Sequence, residues 1–334
     1  MYFACVGRRY SNPWPGSVEH GLGSLLKWMA ERARQRRPAD PPRASFTTLS
    51  PAFHSPRASE GTLTATWVGH ASTLLQLGSL NILTDPMWGE RASPVRFAGP
   101  RRWVQPGIWF EDLPPVDLVV LSHDHYDPFD RRTLRRIARR HTDARWVAPV
   151  GVGRHLRRLG ATAVSEHGWW DRETTTDLGL TVACTPAKHF SGRTPWSRNR
   201  TLWSGWVLKA GGRSVFFAGD TAWHPEFPQI ARRFGPFDLS LIPIGAYEPQ
   251  WMMQPVHMNP EEAVRAYGDV AAVHRERGWT SPAMVPIHWG TFKLSDEPLD
   301  EPPRRLMAAW AAAGHDPRSL WLLQHGETRA QRQP

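Results

Sequence analysis

The sequence is poor in cysteine: Cys5 and Cys184 are the only two in 334 residues. That excludes a disulfide framework and a four-thiolate zinc site. Lysine is scarce as well, because 37 of the 41 basic residues are arginine and only Lys27, Lys188, Lys209 and Lys293 are lysine. No run approaches the roughly 18 apolar residues of a membrane span. The start, Met1-Tyr-Phe-Ala-Cys-Val-Gly-Arg-Arg, lacks the basic-then-apolar order of a secretory leader, so a cytoplasmic protein is expected. Gly (27) and Pro (31) stay below the level of a low-complexity chain. With 40% hydrophobic and 22% charged residues, the chain can bury a real core, which excludes global disorder. Any resident metal must rest on carboxylates and on the fifteen histidines.

Acidic residues are the minority charge, 31 against 41, for a net charge of +10. Residues 91–160 hold 14 Arg and 7 acids, so +7 of that excess falls there. Such a field favours anionic partners, whether phospholipid, phosphorylated metabolite or nucleic acid; a solvated arginine-rich face is the plain alternative. Tryptophan, by contrast, is abundant at eighteen.

Length alone predicts about two domains. Residues 1–60 read as an arm: Leu22, Leu25, Leu26 and Met29 fall on one helical face, followed by Arg32, Arg34, Arg36 and Arg37. That face is expected to pack on the body or to lie on an anionic membrane. A connection broken by Pro38, Pro41, Pro42, Pro51 and Pro56 follows. Residues 61–334 form the body. Thr64–Val68 reads as a strand and Thr73–Asp85 as a hairpin ending at an aspartate. A similar hairpin, strand and Asp return at Val207–Asp220, a faint repeat that hints at two related halves. Val116–Leu121 is a continuous apolar run of the kind found in a buried strand. Helices are expected at about 130–141, with Leu134, Ile137 and His141 on one face, and from Asn259-Pro260-Glu261-Glu262, a capping sequence. Alternating strands and helices argue for an α/β fold.

The chemistry concentrates where apolar runs end. His123-x-His125-x-Asp127 follows the buried run, and three such donors in five residues converge when a loop bends around a zinc, iron or manganese ion. His189, Asp220 and His288 each follow an apolar or Pro-bounded segment and are expected at the same edge. His70, in the Gly69-His70-Ala71-Ser72 turn, is either a pocket group or a hydrogen-bonded turn histidine. Asp85 is expected to brace the site, and Cys184 to lie in the core.

This pattern resembles the metallo-β-lactamase superfamily. Trp67-Val-Gly-His70-Ala-Ser, Leu83-Thr-Asp85-Pro, Ile242-Pro-Ile-Gly-Ala-Tyr247-Glu-Pro, Asn259-Pro-Glu-Glu-Ala-Val-Arg265 and Ile287-His-Trp-Gly-Thr-Phe292 are similar to the N-acylphosphatidylethanolamine-hydrolysing phospholipase D family, over about residues 64–328. The resemblance implies one αβ/βα sandwich domain with an N-terminal arm. It makes His123, His125 and His189 ligands of a first metal, Asp127 and His288 ligands of a second, Asp220 the bridge, and His257 a pocket histidine. The implied cofactor is zinc, one or two ions per chain, with iron or manganese open for the second site. Asp127, Asp220 and His257 are the implied catalytic groups for metal-assisted hydrolysis of a phosphodiester in a glycerophospholipid. Peripheral membrane contact and a homodimer are implied; no nucleic-acid partner is expected, since no appended nucleic-acid module is visible.

One position departs. The family pattern continues after the Asp with a second-site histidine, and here that place is Pro128, which cannot ligate. His224 is the nearest sequence candidate to compensate, and Pro128 is expected at the first turn of the next helix. A lactonase or soluble phosphoester hydrolase on the same fold stays open, as does, from another class, a non-catalytic binding protein with a degenerate second metal site.

Overall fold

A computed structural model describes residues 4–6, 9–15, 17, 21–34 and 38–331. A short hairpin, β1 (Ala4–Val6) and β2 (Arg9–Ser11), and helix α1 (Leu22–Arg34) precede the body. The first sheet contains β3 (Leu63–Gly69), β4 (Ser72–Leu77), β5 (Leu80–Thr84), β6 (Leu118–Val120), β7 (Arg145–Pro149) and β8 (Ala163–His167). Its helices are α2 (Arg131–Arg140) and α3 (Gly153–Arg157). The second sheet contains β9 (Arg172–Thr175), β10 (Leu180–Thr185), β11 (Gly205–Ala210), β12 (Arg213–Phe217), β13 (Leu239–Pro243) and β14 (Ala283–Ile287). Helices α4 (Phe227–Phe234), α5 (Gln250–Met253) and α6 (Pro260–Glu276) interleave with it, and α7 (Glu301–Ala312) follows. The last strand, β15 (Thr328–Gln331), returns to pair with β3, giving the order β15-β3-β4-β5-β6-β7-β8 against β14-β13-β12-β11-β10-β9.

The two sheets repeat one plan. In each, antiparallel strands (β3-β4-β5; β10-β11-β12) lead into parallel ones (β5-β6-β7; β12-β13-β14). Parallel strands need helical crossovers, and the helices cover the outer faces. Leu134 and Ile137 of α2 bury against Val119 and Trp146 of the first sheet. Ile230 of α4, Val270 of α6 and Trp310 of α7 join the core of the second. Strand β6 is buried on both faces, as its unbroken apolar run requires. Helix α6 starts where the capping sequence predicts: Asn259 Oδ1 accepts from Glu262 N (2.8 Å) and Glu262 answers on Asn259 N (3.2 Å). The result is an αβ/βα sandwich.

The structure corrects the expected place of Pro128 and does not seat the apolar stripe of α1 on the body. The apolar stripe of α1 does not pack: Leu25, Leu26 and Met29 are exposed, and the helix is instead pinned by buried Trp28, whose Nε1 donates to Asp296 Oδ2 (2.6 Å). Arg36 and Arg37 lie outside the described residues. Tryptophan serves mainly the interior: Trp67, Trp146, Trp203 and Trp206 are among the largest fully buried side chains, and Trp109, Trp196 and Trp251 are the exposed tryptophans among the described residues. Pro128 sits in a turn three residues before α2, whose cap is Asp130, rather than in the first turn of that helix.

The repeated hairpins meet tip to tip. Gly78 (φ 58°) and Gly211 (φ 55°) both take left-handed conformations, and a Cβ at Gly211 would come within 2.8 Å of the Gly78 Cα. Two backbones approach there as only glycines permit. Gly211→Ala is therefore expected to destabilise the fold by about 1–3 kcal/mol; a urea midpoint unchanged from wild type would contradict the close approach.

Candidate metal centre

His123 follows β6 directly, and its ring is set by a relay. Ser122 donates through N (2.7 Å) and Oγ (2.5 Å) to the Asp85 carboxylate at the end of β5. Burial pushes that carboxyl up, and the two Ser122 bonds oppose the rise. With its hydrogen spent on Asp85, Ser122 Oγ accepts from His123 Nδ1 (2.8 Å). That leaves the His123 Nε2 lone pair free. His189, beyond β10, is fixed likewise, its Nδ1 held by the Val256 carbonyl (2.8 Å). Both free nitrogens face His125 Nδ1, at 2.8 Å from His123 and 3.2 Å from His189. Three nitrogens around a tetrahedral zinc lie about 3.3 Å apart when each is about 2.05 Å from the ion, so the spacing suits such an ion. Burial, reinforced by neighbouring imidazoles, pushes His123 well below its ordinary value and His125 down to about 4, and burial lowers His189 too. All three are neutral, which is the ligating form.

A second group lies alongside. His288, at the end of β14, places Nε2 3.0 Å from Asp220 Oδ2 and 3.4 Å from Asp127 Oδ2. Asp220 Oδ2 is also 3.8 Å from His123 Nε2, so this carboxylate lies between the two clusters. Burial alone would raise Asp127 and Asp220. The His288 and His70 imidazoles overcome it for Asp127, and those of His288 and His123 for Asp220, so both carboxyls fall below the usual carboxylate range. Burial would lower His288, yet Asp220 and Asp127 push it up to about 10. Several buried atoms here find no hydrogen-bond partner: His288 Nδ1, Asp220 Oδ1 and His257 Nδ1. Orphaned lone pairs at one point are costly unless a cation gathers them. Donor atoms within 4.8 Å of one another fall into three groups, His123/His125/His189, His70/Asp127/His288 and Asp220/His257/His288. His257 joins through its ring, 4.9 Å from His189 and 5.3 Å from His288 between centroids.

The structure thus brings together Asp127, Asp220, His257, His123, His125, His189 and His288, and sets His70 beside them. Its Nε2 stands 2.9 Å from Asp127 Oδ2. His224 is the miss. It belongs to none of the three groups and is stacked between Trp14 (centroids 4.6 Å) and Phe227 (4.3 Å). The sequence left His70 open between a pocket group and a turn histidine; its pairing with His288, 218 positions away, leaves no local signal to decide between them.

Residues 80–289 match the family model described as a beta-lactamase superfamily domain. An uncharacterized protein of Mycobacterium tuberculosis is 42% identical over 276 residues, which covers 82% of this chain and 70% of that protein. The N-acyl-phosphatidylethanolamine-hydrolyzing phospholipase D 1 of Caenorhabditis elegans is 36% identical over 307 residues, 86% of this chain and 82% of that protein. Among solved structures, a metallo hydrolase from Ignicoccus hospitalis shares the fold at 21% identity and a TM-score of 0.59, covering 82% of this chain and 100% of its own. The chain is a metal-dependent hydrolase of the metallo-β-lactamase superfamily. Within it, the chain belongs to the same family as the C. elegans relative.

His224 supplies a test independent of the metal. Burial, then the charge of Lys188, pulls its imidazole down to about 3, against 6.5 for the ordinary group. Below pH 6.5 the unfolded chain takes up a proton that the folded chain refuses until about pH 3, so this group's stability contribution is full above 6.5 and declines towards 3. His224→Phe, which keeps a ring in the stack, is expected to flatten that decline while changing stability little at pH 7. Urea midpoints between pH 7 and 4 check it, and an unchanged slope would count against the assignment.

Proposed function

We propose that the protein is a zinc-dependent phosphodiesterase of phospholipase D type, acting on N-acylphosphatidylethanolamine-like glycerophospholipids. The observation that carries this reading is a cavity of about 540 Å³ lined by Arg91, Arg96, Arg131, Arg132 and Arg193 and by Tyr126, the residue between His125 and Asp127. Arg193 ties that wall to the site: its Nη1 donates to the carbonyls of Asp124, His125 and Phe129, and its guanidinium lies over the Tyr126 ring at 4.2 Å. An arginine-lined cavity beside a metal-ligand loop suits a phosphodiester, whose charge a guanidinium grips bidentately. The kinship with a phospholipase D is in keeping with it.

The donor set fits two cations. His123, His125 and His189 would hold zinc, three imidazoles being the ligand set of an open catalytic site. Asp127, Asp220 and His288 would hold a second ion, and their harder oxygens also suit iron or manganese. When bound, the metal would acidify a water and neutralise charge on the phosphoryl oxygens. Asp220, between the clusters, orients the attacking water towards phosphorus. His257, neutral and with Nδ1 unpartnered, takes up or delivers a proton at that atom as the alcohol leaves. The arginines hold the phosphate in line. The products are a phosphomonoester and an alcohol, here a phosphatidic acid and an N-acylethanolamine.

Among the described residues no helix is long and apolar enough to cross a membrane. Lipid would be met from the surface, where Leu25, Leu26 and Met29 of α1 and the nearby Trp251 are exposed; Lys27 and Glu31 of α1 both contact Trp251.

Vesicles containing N-acylphosphatidylethanolamine, a soluble bis-aryl phosphodiester and a lactone panel separate the readings. Phosphatidic acid release is the expected result; turnover of lactones alone would remove the phospholipase reading. Arg131→Ala with Arg132→Ala should raise KM for the anionic lipid about tenfold and leave kcat nearly intact, since charged hydrogen bonds contribute about 1.5–3 kcal/mol and exposure reduces that. A KM unchanged by the double variant would detach the cavity from substrate binding.

A further inference from the structure

We propose that His70 supplies the ligand to the second cation that position 128, a proline, cannot. The inference rests on the metal-dependent reading of the site. Pro128 has no donor atom, and Asp127 and Asp220 with His288 alone form a sparse set. His70 comes from a different element, the turn between β3 and β4. Its Nε2 lies 2.9 Å from the Asp127 oxygen that His288 Nε2 approaches at 3.4 Å, and its ring centroid is 4.1 Å from that of His288. Each of the three residues offers one donor atom to a common point.

The backbone supports a purpose beyond packing. His70 adopts φ 58° and His288 φ 63°, the left-handed region that non-glycine residues occupy at a cost. The two strained residues hold each other: His288 N donates to the His70 carbonyl (3.0 Å). That carbonyl also accepts from Trp67 Nε1 (2.9 Å), and His70 N donates to Thr291 Oγ1 (2.7 Å). Three hydrogen bonds on one residue's backbone fix where its imidazole points.

The competing role is positional, with His70 Nε2–H donating to Asp127 and touching no ion. His70→Gln separates the two, because the amide keeps a donor for Asp127 while His70→Ala removes it. Losing an outer hydrogen-bond partner costs roughly 10–100-fold in metal affinity. For a ligand, both variants should weaken the second zinc ion by more than about 100-fold, retain the first, and regain the second when combined with Pro128→His. The readouts are zinc per chain by elemental analysis and stepwise affinity by calorimetry on the full chain. Diffraction at the zinc edge on metal-loaded wild type needs no variant and expects His70 Nε2 about 2.0–2.1 Å from the second ion. Two ions held by His70→Gln at near wild-type affinity, or a second ion without His70 in contact, overturns the proposal. One ion on His123, His125 and His189 in wild type overturns it too, and leaves the metal-dependent reading intact. No ion at all would remove both.

Discussion

Three buried imidazoles meet nitrogen to nitrogen at 2.8–3.2 Å, a convergence that a shared cation satisfies for all of them at once. Desolvated polar atoms without partners cost several kcal/mol each in an apolar surrounding. The orphaned atoms of His288, Asp220 and His257 add to the same demand. That demand makes sense of features that would otherwise be liabilities: Asp85 buried at a strand end, left-handed backbone at His70, Asp85 and His288, and a carboxylate lodged between two histidine clusters. Each is unfavourable alone, and each serves to aim one donor.

The sandwich delivers these donors because both sheets follow one plan. The β5 and β12 strands each leave a glycine-turned hairpin and end at an aspartate, Asp85 and Asp220. The Gly78–Gly211 contact joins the hairpin tips at one end of the sandwich. The loops carrying His123, His125, Asp127, His189, Asp220 and His288 gather at the other. The sheets are thus pinned at both ends, with Trp67, Trp206 and Phe217 in the core. Rigid strand ends place ligands more accurately than free loops do.

That geometry explains what could be read in the sequence. His123, His125, Asp127, Asp220 and His288 were legible because each closes an apolar run, and a strand's end is visible in one dimension. The capping of α6 was legible for the same reason, since Asn259, Pro260 and Glu262 are neighbours in the chain. What failed depended on packing. The helical period of α1 was correct, yet the period says which residues share a face and not which face finds a partner: Trp28 is held by Asp296, and Leu25, Leu26 and Met29 stay exposed. His224 is close to Asp220 in sequence, but the turn after Asp220 directs it into an aromatic stack. His70 could be read as a pocket group or as a turn residue but not decided, because its surroundings are set by His288, distant in the chain and adjacent in the fold.

A ligand drawn from the β3–β4 turn has a mechanical consequence. A histidine at 128 would ride on the loop between β6 and α2, where Pro128 now shapes a turn closed by Phe129 N on the His125 carbonyl (3.0 Å). His70 instead is tied to sheet and core. Its amide bonds Thr291 Oγ1, which meets His325 Nε2 at 3.0 Å, and the His325 carbonyl accepts from Leu49 N of the arm (2.8 Å). Asp127 therefore reaches, through His70, Thr291 and His325, the segment just before β15 and the arm that crosses it. The His123-x-His125-x-Asp127 loop needs no second histidine to hold its shape. The proline stiffens the loop, the strained turn opposite supplies the imidazole, and the position of one donor becomes a property of the whole first sheet.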